Sequence, residues 1–114
     1  MTQQQDTLAQ LNKAKAQLTQ YLIVCGNTPG SPESKEKLQD VAAKESEVEA
    51  QIATILATAF QSTEVAKVQA AISDLGVATT KLVSLGTVLT QVNDVLQVVG
   101  TIVKIAGTII TLAT

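Results

Sequence analysis

Apolar residues recur on a seven-residue beat through the last third of the chain. Leu75, Leu82, Leu89, Leu96, Val103 and Ile110 lie seven apart, and Thr79, Gly86, Asn93, Gly100 and Gly107 follow four residues behind. Large apolar side chains alternating with small or polar ones at three-four spacing describe a helix seam that packs closely on another helix. A second apolar stripe runs one position ahead of the first: Leu85, Val88, Val92, Val95, Val99, Ile102, Ala106 and Ile109. Together they fill more of the helix circumference than the apolar face of an ordinary surface helix. Only a thin polar line is left, made of Thr87, Thr90, Gln91, Asp94, Gln97, Thr101, Lys104, Thr108 and Thr111. Such a helix must be covered on both flanks. Asn93, in the seam, is expected to bond across to a neighbouring helix or to set the register of an oligomer, with the first use favoured.

Upstream, residues 4–24 carry a weaker stripe of Leu8, Leu11, Leu18 and Leu22, interrupted by Lys15, and predict a first helix. The segment Gly26-Asn27-Thr28-Pro29-Gly30-Ser31-Pro32 is a loop, with Gly26 suited to a left-handed C-terminal cap. Ser31 and Pro32 are suited to cap and open a second helix over 32–60, where Glu33 favours the positive end of the helix dipole. Its stripe is Leu38, Val41, Val48, Ile52, Ile55 and Ala59, with Glu45 intruding, and Glu33–Lys37 and Asp40–Lys44 are spaced as ion pairs. The apolar phase then jumps near residue 62, which favours a turn with Ser62 or Thr63 capping a third helix over 63–85, a continuous helix with a stutter being the alternative because neither Gly nor Pro stands there. Ser84-Leu85-Gly86-Thr87 is the expected break before a fourth helix over 87–112, with Gly76 a second candidate. The strand-favouring Thr, Ile and Val of residues 101–114 are outweighed by the helical period. The expected fold is an all-α, single-domain antiparallel bundle of about four helices, or two helical hairpins, spanning 1–114. The proline-bearing loop between two helices resembles in outline the hairpin subunits of type III secretion needles; no motif is shared, and no residue role follows from the likeness.

Composition narrows the chemistry. The chain has two aromatic residues, Tyr21 and Phe60, and no Trp, His or Arg, so its core must be aliphatic. A net charge of −2 with dispersed lysines gives no basic stripe for nucleic acid. Charge is unevenly placed: twelve of eighteen charged residues lie before residue 63, and the final twenty residues hold only Lys104. The single cysteine, Cys25, reads as a buried or helix-end thiol and forbids an intrachain disulfide. No apolar signal segment opens the chain, so a cytoplasmic place or leaderless secretion is expected. Without His, neither an imidazole-activated nucleophile nor a His/Cys zinc site can be built. Glu45, Glu47 and Glu49 read as a solvated face. No catalytic, metal or cofactor residue stands out, and no enzyme is expected.

Two functions remain. The leading expectation is a self-assembling or partner-binding helical module, its partner another copy or another helical protein. The alternative is a membrane-active protein that inserts 63–114 as an oligomer, with the Thr90–Thr108 line facing a wet pore. Residues 95–114 hold ten Val, Leu or Ile, each contributing about −0.3 to −0.6 kcal/mol to insertion. Lys104 alone costs about +2.5 to +3.5 kcal/mol at the helix centre, before Gln97, the threonines and the glycines are counted. A lone spanning helix is therefore disfavoured. An apolar ligand held beside Gly100 and Gly107 is a third possibility.

Overall fold

The computed structural model describes residues 2–114, which are all-α, with no strand among them. Four helices form: α1 (Gln3–Gly26), α2 (Pro32–Ala57), α3 (Val65–Ser84) and α4 (Val92–Ala113), the last entered through a 3-10 turn, Leu89–Gln91. Thr2 opens α1 with a reciprocal capping box, its hydroxyl accepting from the Gln5 amide at 3.1 Å while the Gln5 side chain accepts from the Thr2 amide at 3.0 Å. Ser31 caps α2 by accepting from the Ser34 amide at 3.1 Å, with Pro32 in the first turn.

Three end features differ from expectation. Gly26 is the last residue of α1 rather than a left-handed cap, because Asn27 closes the helix and the Asn27 and Thr28 side chains bond back to Ile23 and Val24 carbonyls. Neither Ser62 nor Thr63 caps α3. Glu64 occupies the N-cap with no side-chain bond, and the Ser62 hydroxyl accepts from the Glu64 amide instead. The Glu33–Lys37 pair forms at 3.3 Å, but Lys44 turns to Glu47 at 3.2 Å rather than to Asp40. Gly76 does not break α3. The break falls at Gly86, whose φ of +66° is the left-handed region open to glycine.

Successive helices alternate in direction, but the ring order is not the chain order. α1 packs on α2 and α3, and α4 packs on α3 and α2, so α1 and α4 lie across one diagonal and α2 and α3 across the other. Residues 58–64 therefore carry the chain from corner to opposite corner. The result is two antiparallel hairpins, α1–α2 and α3–α4, stacked with α1 parallel to α3 and α2 parallel to α4. Polar ties at one end hold this arrangement. Gln3 Nε2 donates to the Val65 carbonyl at 2.9 Å, and Gln4 Nε2 to those of Ile55 and Thr58 at 2.7 and 3.0 Å. The amides of Gln61 and Ser62 both donate to the Ala113 carbonyl, closing the C-terminal end of α4.

The core corrects the expected seam. Leu75, Thr79, Leu82 and Leu89 are buried as the seven-residue beat requires. Past the turn, the buried line in α4 is Val92, Val95, Val99, Ile102, Ala106 and Ile109, one residue ahead of the beat. Leu96, Val103 and Ile110 are only partly buried, Gly100 and Gly107 likewise, and Asn93 is exposed. The reason is geometric. A heptad keeps its face only along a continuous helix, and the Gly86 break with its 3-10 re-entry frees α4 to rotate. It turns the centre of its apolar arc inward and leaves the former seam on the flank beside α2. The second stripe is the core from Val92 onward, while Leu85 is only partly buried and Val88 is half-exposed in the turn.

The first hairpin keeps the centre of its expected stripes, with Leu11, Leu18, Val41, Val48 and Ile55 all buried. Thr7, Leu11, Ala14, Leu18, Tyr21 and Cys25 form the buried line of α1, while Leu8 and Leu22 sit beside it. In α2 only Val41, Val48 and Ile55 are fully buried, one per heptad, with Leu38 and Ile52 flanking; Ala59 lies exposed beyond the helix end. Paired substitutions check the one-residue offset in α4. Ile102→Ala should destabilise by about 2–5 kcal/mol, and Val103→Ala by about 1 kcal/mol, read from denaturant midpoints. Equal losses would put the beat, not the second stripe, in the core.

Candidate functional site

The polar line expected along α4 is exposed as a line: Thr90, Asp94, Gln97, Thr101, Lys104, Thr108 and Thr111 all face outward. Its threonines are less polar than their type suggests. The hydroxyls of Thr101, Thr108 and Thr111 donate to the carbonyls of Gln97, Lys104 and Gly107, four residues back, at 3.1–3.2 Å. Their donors are spent within the helix. Only Asp94, Gln97 and Lys104 then present strong polarity on this face.

The small track has a partial use. Gln51 of α2 donates from Nε2 to the Val103 carbonyl at 2.7 Å and stands beside Gly107. A Cβ at Gly107 would lie 4.0 Å from that amide, in ordinary van der Waals contact, so Gln51 lines the space beside this glycine. Gly100 has open space around the missing side chain. Gln51 Oε1, Thr79 Oγ1 and Glu45 Oε2 are buried without a hydrogen-bond partner among the described residues.

A polar tie at the other end of the bundle escapes sequence reading. The carbonyls of three consecutive turn residues, Gly86, Thr87 and Val88, accept from Gln17 Nε2 at 3.2 Å, the Cys25 thiol at 3.3 Å and the Tyr21 hydroxyl at 2.9 Å. These donors sit four residues apart on one face of α1, the spacing that stacks side chains along a helix. Lys35 adds to it by donating to the carbonyls of Cys25 and Gly26 at 2.8 and 3.1 Å, where a cation complements the end of α1. Burial pushes both the Tyr21 hydroxyl and the Cys25 thiol above their ordinary pKa values. The neutral, donating forms are the ones the tie needs. Its signal in sequence is a set of donor types at four-residue spacing, legible only once the turn opposite is placed.

The outer face of the α3–α4 hairpin was also missed. A groove of about 240 Å³ runs between the two helices, floored by Ala78, Val98 and Ile105 and edged by Asp74, Lys81, Gln97 and Thr101. Val77 stands on its rim, 71% exposed, the most exposed large apolar side chain among the described residues. Around Val77 the outward positions of α3 are small: Ala66, Ala70, Ser73, Thr80 and Ser84, all exposed. Charge is sparse here, since α3 and α4 together hold only Lys67, Asp74, Lys81, Asp94 and Lys104. No group of three or more His, Cys, Asp or Glu residues could hold a metal ion among the described residues.

No protein-family model matches the chain, and neither does any curated protein or solved structure.

The turn tie makes two measurable predictions. Tyr21→Phe strands the Val88 carbonyl and should cost about 1–3 kcal/mol of stability. The raised thiol also has a signed pH consequence. Below about pH 8.5 both folded and unfolded chains keep the proton. Above it the unfolded chain releases the proton while the folded chain holds it, so stability falls with rising pH at up to about 1.4 kcal/mol per unit. Cys25→Ala should flatten that decline between about pH 8 and 10 in denaturant titrations, where an unchanged slope would assign it elsewhere.

Proposed function

We propose that this chain is a non-enzymatic helical module that acts by packing the outer face of its α3–α4 hairpin on another helical surface, of its own kind or of a partner. The observation that carries this reading is an asymmetry across the bundle. One hairpin bears twelve of the eighteen charged residues, while the other offers an open groove, an exposed Val77 and a run of small side chains. Charge-poor, sterically flat helix faces allow close backbone approach, whereas a solvated face is defended by Lys and Glu side chains. The wide apolar face of α4 carries no weight here, because α2 and α3 already cover its centre.

A second reading is membrane insertion of the same hairpin. Leu89–Ala113 is long and apolar enough to cross a membrane, three of its four threonine hydroxyls donate within the helix, and among the described residues no ion pair joins one hairpin to the other. Against it, insertion must tear out the buried line from Val92 to Ile109 and place Lys104 in hydrocarbon. Mass in solution, measured by light scattering over a range of concentrations with and without liposomes, separates the two. The packing reading expects mass above one chain, or capture of a helical partner, and no dye leakage. Leakage with lipid partitioning would favour insertion, and a strict monomer with no binding and no leakage would remove both.

A further inference from the structure

We propose that the outer face of α3 is a two-fold self-association surface, on which a second copy of this chain docks antiparallel about Val77. The inference rests on the packing reading above and commits it to one occupant. Its decisive feature is charge placed self-complementarily. Asp74 and Lys81 lie seven residues apart on α3, close to two helical turns and so on one border of the face, separated by about 10 Å along the axis. Both edge the same groove, and neither takes part in an ion pair among the described residues. Val77 and Ala78 fall midway between them.

A two-fold axis crossing α3 at that midpoint reverses the helix direction and leaves the border on the same side. It sets Asp74 opposite Lys81 of the second copy and Lys81 opposite its Asp74. Isologous contact requires this pairing of each residue with a different one across the axis. A parallel arrangement loses both pairs. The exposed Val77 side chains meet near the axis, where burial has most effect, and the flanking Ala70, Ser73, Thr80 and Ser84 are too short to hold the helices apart. The ionic border fixes orientation more than it adds affinity, as charge at an interface rim does.

The test uses the full chain, with sedimentation or light scattering for association and circular dichroism for folding. The unsubstituted chain should dimerise. Val77→Glu should keep its helical signal, since the site is exposed, and should be monomeric at concentrations where the parent is a dimer. Asp74→Lys and Lys81→Asp should each weaken the dimer about tenfold or more, by setting like charges across the axis. The combination D74K/K81D should restore it to within a few-fold of the parent. Dimerisation unaffected by all four variants would overturn this surface while leaving self-association through another face. Loss in both single variants without rescue in the double would overturn the antiparallel pairing. A parent chain that stays monomeric yet captures a different helical protein through the Val77 face would overturn the second copy as occupant and keep the broader packing reading; a chain that does neither would overturn both.

Discussion

A helix that is apolar over more than half its circumference can exist in water only if other chain covers it, and α4 imposes that demand on everything else. Burying its centre requires two neighbours, one on each flank. α3 supplies the first because a short turn folds it back alongside. α2 supplies the second, and for α2 to reach α4 the chain must cross the bundle diagonal between residues 57 and 65. The unusual ring order thus follows from the apolarity of one helix. So does the slender character of α2, which meets α1 on one side and α4 on the other and buries only Val41, Val48 and Ile55 completely.

Aliphatic burial of this kind drives collapse without choosing among arrangements, since Val, Leu and Ile stripes slide past one another at small cost. The choice falls to the polar ties. Gln3 and Gln4 hold the start of α1 against the ends of α2 and α3, and Gln17, Tyr21 and Cys25 hold its far half against the α3–α4 turn. Each donor meets a backbone carbonyl that a shift of one residue would leave unpaired. An unpaired buried carbonyl costs more than a well-made bond contributes, so the ties penalise wrong registers more strongly than they stabilise the right one. Among the described residues no ion pair spans the two hairpins, which makes these neutral bonds the register device of the fold.

The periodicity of the sequence reveals the four helices, the loop at residues 26–32 and the break at Gly86, because each rests on local chemistry: apolar spacing, a Ser-Pro start, a glycine able to take positive φ. The seam in α4 was misread by one residue for an equally physical cause. Two stripes one position apart form a single broad arc, and sequence gives its width but not which line within it points to the axis. That depends on neighbours placed by the rest of the chain. Asn93 illustrates the consequence, since a rotation of one residue moves it from a supposed seam into solvent. Asp40 and Lys44 show the limit for surface pairs, where Glu47 at three residues competes equally with Asp40 at four.

The outer face of α3 was illegible for a different reason. Val77 belongs to the same run of apolar residues as Leu75 and Ile72, and nothing in its type distinguishes an outward valine from an inward one. Only after the inward line is known does Val77 emerge as exposed, and only then do Asp74 and Lys81 become one border of a surface rather than scattered charges. Charge is concentrated on the first hairpin, whereas the outer side of α3, opposite the inward Leu75 and Leu82, presents mostly small side chains with Asp74 and Lys81 along one border. Under the packing reading proposed above, stability and association would use opposite sides of the same helix, with Leu75 and Leu82 inward and Val77 outward.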